Sequence, residues 1–255
     1  MDEPLTSNGL PQRFEDVDWF EEPLDDGLAM EQSLLGIAAT GASCARIWRS
    51  RPMMVVPRSY RKHPRFEAVQ RQWARSGIPI AVRQSGGGAV PLEEGVLNLS
   101  LAWSTRLPAL THADAIYGAL CDVVARSICC YGIECRTAAV QDSFCDGRFN
   151  LSIGGRKVAG TAQHWSRGGS GYVVMAHALL IVEADLQTLT ERANALEFDL
   201  QSGRTYSSDA LTSVAREINV IGRQQEGNRL LANVASSIRE GLESGIPHAS
   251  GDWQR

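Results

Sequence analysis

No stretch of this chain approaches the roughly 20 consecutive apolar residues that a membrane-spanning helix requires. The opening, MDEPLTSNGLPQRFEDVDW, is acidic and polar, without the basic start and apolar centre of a secretory signal. The six cysteines lack metal-binding patterning: Cys121, Cys129, Cys130 and Cys135 crowd one region, yet none forms a C-x-x-C pair and no histidine stands at zinc-ligand spacing. These absences predict a cytoplasmic protein with no membrane span and no bound metal, whose thiols stay reduced. The four crowded cysteines read as buried small hydrophobes. A basic surplus is also missing, since 25 Lys and Arg against 29 Asp and Glu leave a net charge of -4, which argues against a nucleic-acid partner. The cations between Arg46 and Arg75 are interspersed with apolar residues and read as solvated faces, the alternative being a docking surface for an acidic partner. The run Gly86-Gly87-Gly88 is not followed by Gly-Lys-Ser/Thr and lacks the dinucleotide fingerprint spacing, so neither nucleotide loop is present. Internal repeats and a linker-like break are absent as well.

What remains is an ordinary globular composition, 44% hydrophobic and 21% charged over 255 residues, enough for one large domain with a substantial core. Residues 1–22 read as a flexible lead-in, 23–245 as the domain and 246–255 as a tail. Asp25 and Asp26 precede a helix whose Leu28, Glu31, Leu34, Leu35 and Ala38 fall on one stripe. Strand-like runs follow at 44–48 and 53–56, a helix at 66–76, and a short strand at 78–82 that leads into the glycine run. In 95–103 (GVLNLSLAW), Leu97, Leu99 and Leu101 alternate with Asn98 and Ser100, a polar row that either lines a pocket or faces solvent. A helix over 111–131 with Thr111 as its cap comes next. Further on are a strand over 172–182 interrupted by His177, and helices near 184–194, 210–218 and 222–242. Helices at both ends with strands between predict a single domain of the α+β (mixed α/β) class, a central mixed or antiparallel sheet flanked by helices.

The stretch 143–163, SFCDGRFNLSIGGRKVAGTAQ, carries the chemistry. Gly154-Gly155 between two short alternating runs predicts a hairpin, because glycine accepts the positive φ such turns require. On the residues alone, Cys145 is either a nucleophile or an incidental thiol in a turn. Lys157 is either an electrostatic partner for an acyl carbonyl or a solvated charge at a strand edge. His177 reads as a satisfied structural histidine with a minor role, and His164 as part of a surface turn or a base. Arg83, just before the glycine run, faces a phosphate or carboxylate or makes an ordinary salt bridge.

Three pieces taken together resemble the lipoate–protein ligase and octanoyltransferase family, which shares its catalytic fold with biotin–protein ligases. They are 82–90 (VRQSGGGAV) followed by 94–98 (EGVLN), 155–163 (GRKVAGTAQ), and the strand that carries His177. The resemblance implies a tunnel for an octanoyl or lipoyl chain, framed by Arg83, Ser85, Gly86, Gly87, Gly88, Ala89 and Asn98. It makes Gly160, Thr161, Ala162 and His177 substrate-binding and sets Lys157 against the acyl carbonyl. Ligases of the family usually carry an Arg pair where this chain has Val82-Arg83, and a His-Asp where it has Leu92-Glu93. The motif at 143–149 (SFCDGRF) resembles instead the cysteine-dependent amidotransferase branch, implying octanoyl transfer through an acyl-cysteine at Cys145. Implied partners are lipoyl-domain proteins, namely the glycine-cleavage H protein and the E2 subunits of 2-oxoacid dehydrogenases. No cofactor is then required, and ATP enters only if the alternative, an adenylate-forming lipoate ligase, holds. A non-catalytic acyl- or lipoyl-domain-binding protein is the third reading.

Overall fold

The computed structural model describes residues 9–169, 171–222 and 229–245. In chain order the elements are β1 (Asp16–Leu24), α1 (Gly27–Ala39), β2 (Cys44–Ser50), β3 (Met53–Pro57), α2 (Phe66–Arg75), β4 (Ile80–Arg83), β5 (Val90–Leu92) and β6 (Val96–Thr105). Then come α3 (Ala109–Cys129), β7 (Arg136–Ala138), β8 (Asn150–Ile153), β9 (Arg156–Gly168), β10 (Gly171–Ile181), α4 (Leu186–Leu200), α5 (Val214–Val220) and α6 (Leu230–Ser244). Short 3-10 turns at Arg58–Lys62 and Ser208–Ala210 complete the set.

A seven-stranded mixed sheet in the order β1-β2-β6-β10-β9-β8-β7 forms the backbone of the fold, and β4-β3-β5 form a smaller sheet. In the large sheet only β1 and β2 run parallel. Leu97, Leu99 and Leu101 of β6 enter a core shared with α3 and α6, as their period of two requires. On the opposite face, Trp48, Leu179 and Ile181 join a second core with the small sheet and α4. Asn98 and Ser100 point to this second face and are buried, so the polar row of β6 belongs to the interior.

The structure departs from expectation at several places. Residues 16–22 of the expected lead-in form an edge strand, and Leu10 and Phe14 before it are fully buried. The expected tail 246–255 lies outside the described residues. Asp26 caps α1 by accepting the Ala29 N–H at 2.9 Å, whereas Asp25 pairs with Arg51. Helix α3 begins after Pro108, two residues before Thr111, so Thr111 is not its cap. The second half of the chain is more helical than expected in α4, while α6 starts at Leu230. Of the four crowded cysteines Cys121 is buried and Cys135 half-buried, but Cys129 and Cys130 are exposed at the end of α3.

Candidate active site

Gly154 and Gly155, with φ of 55° and 78°, make the expected hairpin turn between β8 and β9. The pairing begins with Ile153 opposite Arg156 and Ser152 opposite Lys157, then slips so that Leu151 lies opposite Ala159. That extra residue, Val158, reverses the alternation of β9. Val158 and Ala159 both enter the core under α3, and Lys157 turns onto the same face as Gly160. A Cβ on Gly160 would lie 3.0 Å from Lys157 Nζ, so the glycine leaves the lysine head its place.

Lys157 is 1% exposed. Its Nζ donates to the carbonyls of Phe144 at 2.8 Å and Cys145 at 3.0 Å and lies 5.3 Å from the centre of the Phe144 ring. Burial lowers its pKa from the usual lysine range, and the negative charge that Cys145 and Asp146 can carry acts in the opposite direction. The strand-edge alternative is thus excluded: this is an interior cation that pins one specific turn.

Cys145 occupies that turn with φ of 49°, a left-handed conformation that side chains other than glycine seldom adopt. Three contacts impose it. Lys157 holds its carbonyl, the Gly88 N–H donates to Sγ at 3.2 Å, and Asp146 accepts from Val140 N at 2.7 Å and Asn150 Nδ2 at 2.9 Å to close the loop. Arg83 Nη2 also lies 3.7 Å from Sγ.

The glycine run serves this cysteine from behind. A Cβ on Gly87 would lie 2.6 Å from Sγ, and one on Gly88 would lie 3.2 Å from Cys145 Cα. Arg83 is buried and donates to the carbonyls of Val55, Gly86 and Gly88, so its guanidinium braces the loop and, among the described residues, forms no salt bridge. Ala89 is fully buried and gives its N–H to Tyr60 Oη at 3.1 Å.

Between the two sheets lies a narrow cavity. Cys145, Lys157 and Arg83 line it, as do Asn98, Gly160, Thr161, Ala162 and His177. The residues Ser85 to Ala89, expected to frame the tunnel, are not among its walls, and Gly87 and Gly88 pack against Cys145 and Arg83. Leu28, Trp48, Val55, Leu92, Phe144 and Leu179 supply an apolar lining suited to a hydrocarbon chain.

One polar line crosses this lining. Ser85 Oγ meets His177 Nε2 at 2.8 Å, His177 Nδ1 meets Glu31 Oε1 at 2.8 Å, and Glu31 accepts the Ser100 hydroxyl at 2.7 Å. Trp48 Nε1 in turn donates to Ser100 Oγ at 3.0 Å. Burial raises the pKa of Glu31, but His177, Ser100 and Arg83 outweigh it and hold the carboxyl below its usual range. Sequence reading placed Glu31 in an apolar helix stripe and Trp48 at a strand end and missed both here. The available signal was a carboxylate at a core position of α1, which demands a partner. His164, expected in a surface turn, is half-buried within β9, and burial together with Arg58 and His177 lowers its pKa. Among the described residues no group of His, Cys, Asp and Glu is arranged to hold a metal ion, and no helix is long and apolar enough to cross a membrane.

The chain is similar to known proteins. An uncharacterised protein of Cupriavidus necator is 36% identical, the match covering 94% of this chain and 100% of the relative. The octanoyl-[GcvH]:protein N-octanoyltransferase of Kyrpidia tusciae is 33% identical over 68% of this chain and 63% of its own length. Its namesake in Bacillus velezensis is 34% identical over 56% of this chain and 50% of its own length, so the chain spans between half and two thirds of these two transferases. The bi-partite lipoate protein ligase of Thermoplasma acidophilum superposes with a TM-score of 0.52 at 18% identity, over 94% of this chain and 96% of that one, which shows a common fold. The family model described as lipoyl protein ligase A/B catalytic domain matches residues 24–235, and the chain therefore belongs to that family.

Proposed function

We propose that the protein is an acyltransferase of protein lipoylation, moving an octanoyl or lipoyl group to the lysine of a lipoyl domain through a thioester on Cys145. The observation that carries this reading is the convergence of Cys145 and Lys157 on one apolar cavity, the cysteine held in a conformation that it would not adopt unaided. Cys145 Sγ attacks the acyl carbonyl of the donor, the donor amine leaves, and the thioester then yields to the acceptor lysine. An ammonium has three N–H donors, and the backbone carbonyls of Phe144 and Cys145 engage two of those of Lys157. The third is available to the carbonyl oxygen as its charge develops, a contribution worth about 3 kcal/mol at comparable sites. Gly88 N–H and Arg83 receive the sulfur when it departs as thiolate.

The names of the octanoyltransferase relatives support an octanoyl group and octanoylated H protein as its donor; the acceptors proposed with it are the E2 subunits of 2-oxoacid dehydrogenases. ATP takes no part in this scheme, in keeping with an Arg83 already committed to backbone carbonyls. Purified protein incubated with octanoylated H protein and an apo-lipoyl domain is expected to transfer the group without ATP. In the absence of acceptor, mass spectrometry should find an octanoyl adduct on Cys145 that hydroxylamine removes. Cys145→Ser should lack it, whereas Lys157→Ala should acylate more slowly by roughly a hundredfold. Full activity in Cys145→Ala, or transfer only with ATP, would return the adenylate-forming ligase as the better account.

A further inference from the structure

Acyl transfer to an amine needs a group to take a proton. When the acceptor nitrogen bonds to the thioester carbon it becomes a four-bonded, positively charged centre that carries two hydrogens. The intermediate collapses forward only once that nitrogen has lost a proton. Five residues on the cavity wall have ionisable side chains: Glu31, Arg83, Cys145, Lys157 and His177. The hydrogen bonds that Arg83 and Lys157 make to backbone carbonyls are all ones they donate. Cys145 carries the acyl group at that stage. Glu31 is the more deeply buried of the remaining two, with a side chain 6% exposed, and its Oε1 already accepts from Ser100 and meets His177.

His177 is left, and its surroundings suit a base. It stands on β10 directly opposite Ala162 of β9 and Ser100 of β6, on the face of the sheet that carries Gly160. Its side chain keeps 16% of its surface accessible. Opposite the Glu31 carboxyl, which already accepts from Ser100, Nδ1 is placed to donate, which leaves the Nε2 lone pair as the acceptor. At rest that lone pair faces the hydroxyl of Ser85, a rotor that can turn away and so marks where an incoming N–H would bind. Ser85 itself is 2% exposed and off the cavity wall, so the Ser–His–Glu line is not a serine nucleophile with its triad.

Building on the acyl-cysteine reading, we infer that His177, oriented by Glu31, is the catalytic base that accepts the proton of the acceptor lysine during aminolysis of the Cys145 thioester. The neutral amine attacks the carbonyl carbon, Nε2 takes a proton from the nitrogen, the C–S bond breaks, and the imidazolium returns the proton to the Cys145 thiolate. Amide and free thiol are the products, with no other reactant consumed. The same residue, run in reverse, protonates the amine that leaves an amide donor. It is not needed when the donor is a thioester, whose leaving group departs as a thiolate.

The test separates these steps in the full-length protein. Cys145 is loaded from octanoyl N-acetylcysteamine, a thioester, and independently from octanoylated H protein; the acyl-enzyme is then mixed with apo-lipoyl domain or with hydroxylamine. His177→Gln is expected to slow loading from the thioester, and release by hydroxylamine, a weakly basic nucleophile, by no more than a few-fold. It should load from the amide donor and transfer to the lipoyl lysine about a hundredfold more slowly, the usual range for a lost general base. Free imidazole should restore part of the lysine transfer. Glu31→Gln keeps the imidazole but loses its orienting carboxylate, and should show the same selective defect at about tenfold with little rescue. Melting curves confirm that both variants are folded, and the hydroxylamine arm supplies the same check on the site itself. Wild-type transfer in both variants, or equal slowing towards hydroxylamine and lysine, would overturn the base. Failure of the wild type to form any adduct on Cys145 would instead remove the acyl-cysteine on which the inference rests.

Discussion

Gly87 has a φ of 104° and sits where a Cβ would come within 2.6 Å of Cys145 Sγ and 2.9 Å of Arg83 Nη2. Two independent penalties thus fall on any side chain there, one from the backbone and one from crowding. Gly86, its neighbour, has no atom near its would-be Cβ and no positive φ. Gly87→Ala is therefore expected to lower stability by about 1–2 kcal/mol and to displace the sulfur from the Gly88 N–H. The rate of Cys145 octanoylation should fall at least tenfold, read by mass spectrometry on a seconds-to-minutes scale. Gly86→Ala should cost less than about 0.5 kcal/mol in a denaturant titration. Equal effects at both positions would mean that the loop is a generic turn. The residue types alone pointed to this loop, since three consecutive glycines mark a backbone that must be approached closely. They did not say by what, and the neighbour that the structure places against Gly87 and Gly88 is the cysteine. Arg83 was obscured in the same way: its partners are carbonyls, which no side-chain pattern records.

At the level of elements, the hairpin of β8 and β9 was legible because Gly154-Gly155 is a local signal, and the alternation of β6 because it spans a long strand. The slip in register at Val158 was not legible, yet it turns Lys157 into the cavity. Register is decided by which face a whole strand buries, and this depends on partners distant in sequence. Strand β1 was missed for a related reason: Asp16, Asp18, Glu21 and Glu22 make its composition that of a loop, although Val17 and Trp19 pack on one core and Phe20 and Leu24 on the other. Helix α1 was read correctly as an amphipathic helix, but its role at the site lies in two details of its first turns. One is Glu31. The other is Gly27, whose would-be Cβ lies 2.1 Å from Cζ3 of Trp48, a wall of the cavity. Gly27→Ala should therefore push the indole towards the space assigned to the acyl chain, at a stability cost of about 1–3 kcal/mol. The KM for an octanoyl thioester is expected to rise several-fold while that for a butanoyl analogue changes little. Uniform loss for both chain lengths would place the indole away from the chain.

On the scale of the whole molecule, the large sheet separates two cores with different duties. The core under α3 and α6 contains Leu10, Phe14 and Trp103; the other contains Trp48, Phe144 and Leu179 and borders the cavity. Phe14 is a clasp for the first of these. Its ring meets Trp103 edge-on at 6.3 Å, its N–H donates to the Leu242 carbonyl of α6 at 3.0 Å, and Trp103 Nε1 reaches back to the Gly9 carbonyl at 3.1 Å. The segment before β1 thereby fastens the last helix to strand β6 of the large sheet, joining the two ends of the described chain. Removing the ring in Phe14→Ala leaves a void in a close-packed region, a change that costs about 3–5 kcal/mol and, for a chain of this size, on the order of 10 °C in melting temperature. None of the atoms involved lies on the cavity side of the sheet. Well below the lowered melting temperature, kcat/KM for octanoyl transfer is therefore expected to stay within about twofold of the wild type. A melting scan paired with transfer kinetics at 15 °C checks both halves of the expectation. A fall in activity at that temperature, with the protein still folded, would show that strain in the first core reaches Cys145 and Lys157 through β6, β10 and β9, and that the two sides of the sheet are not independent.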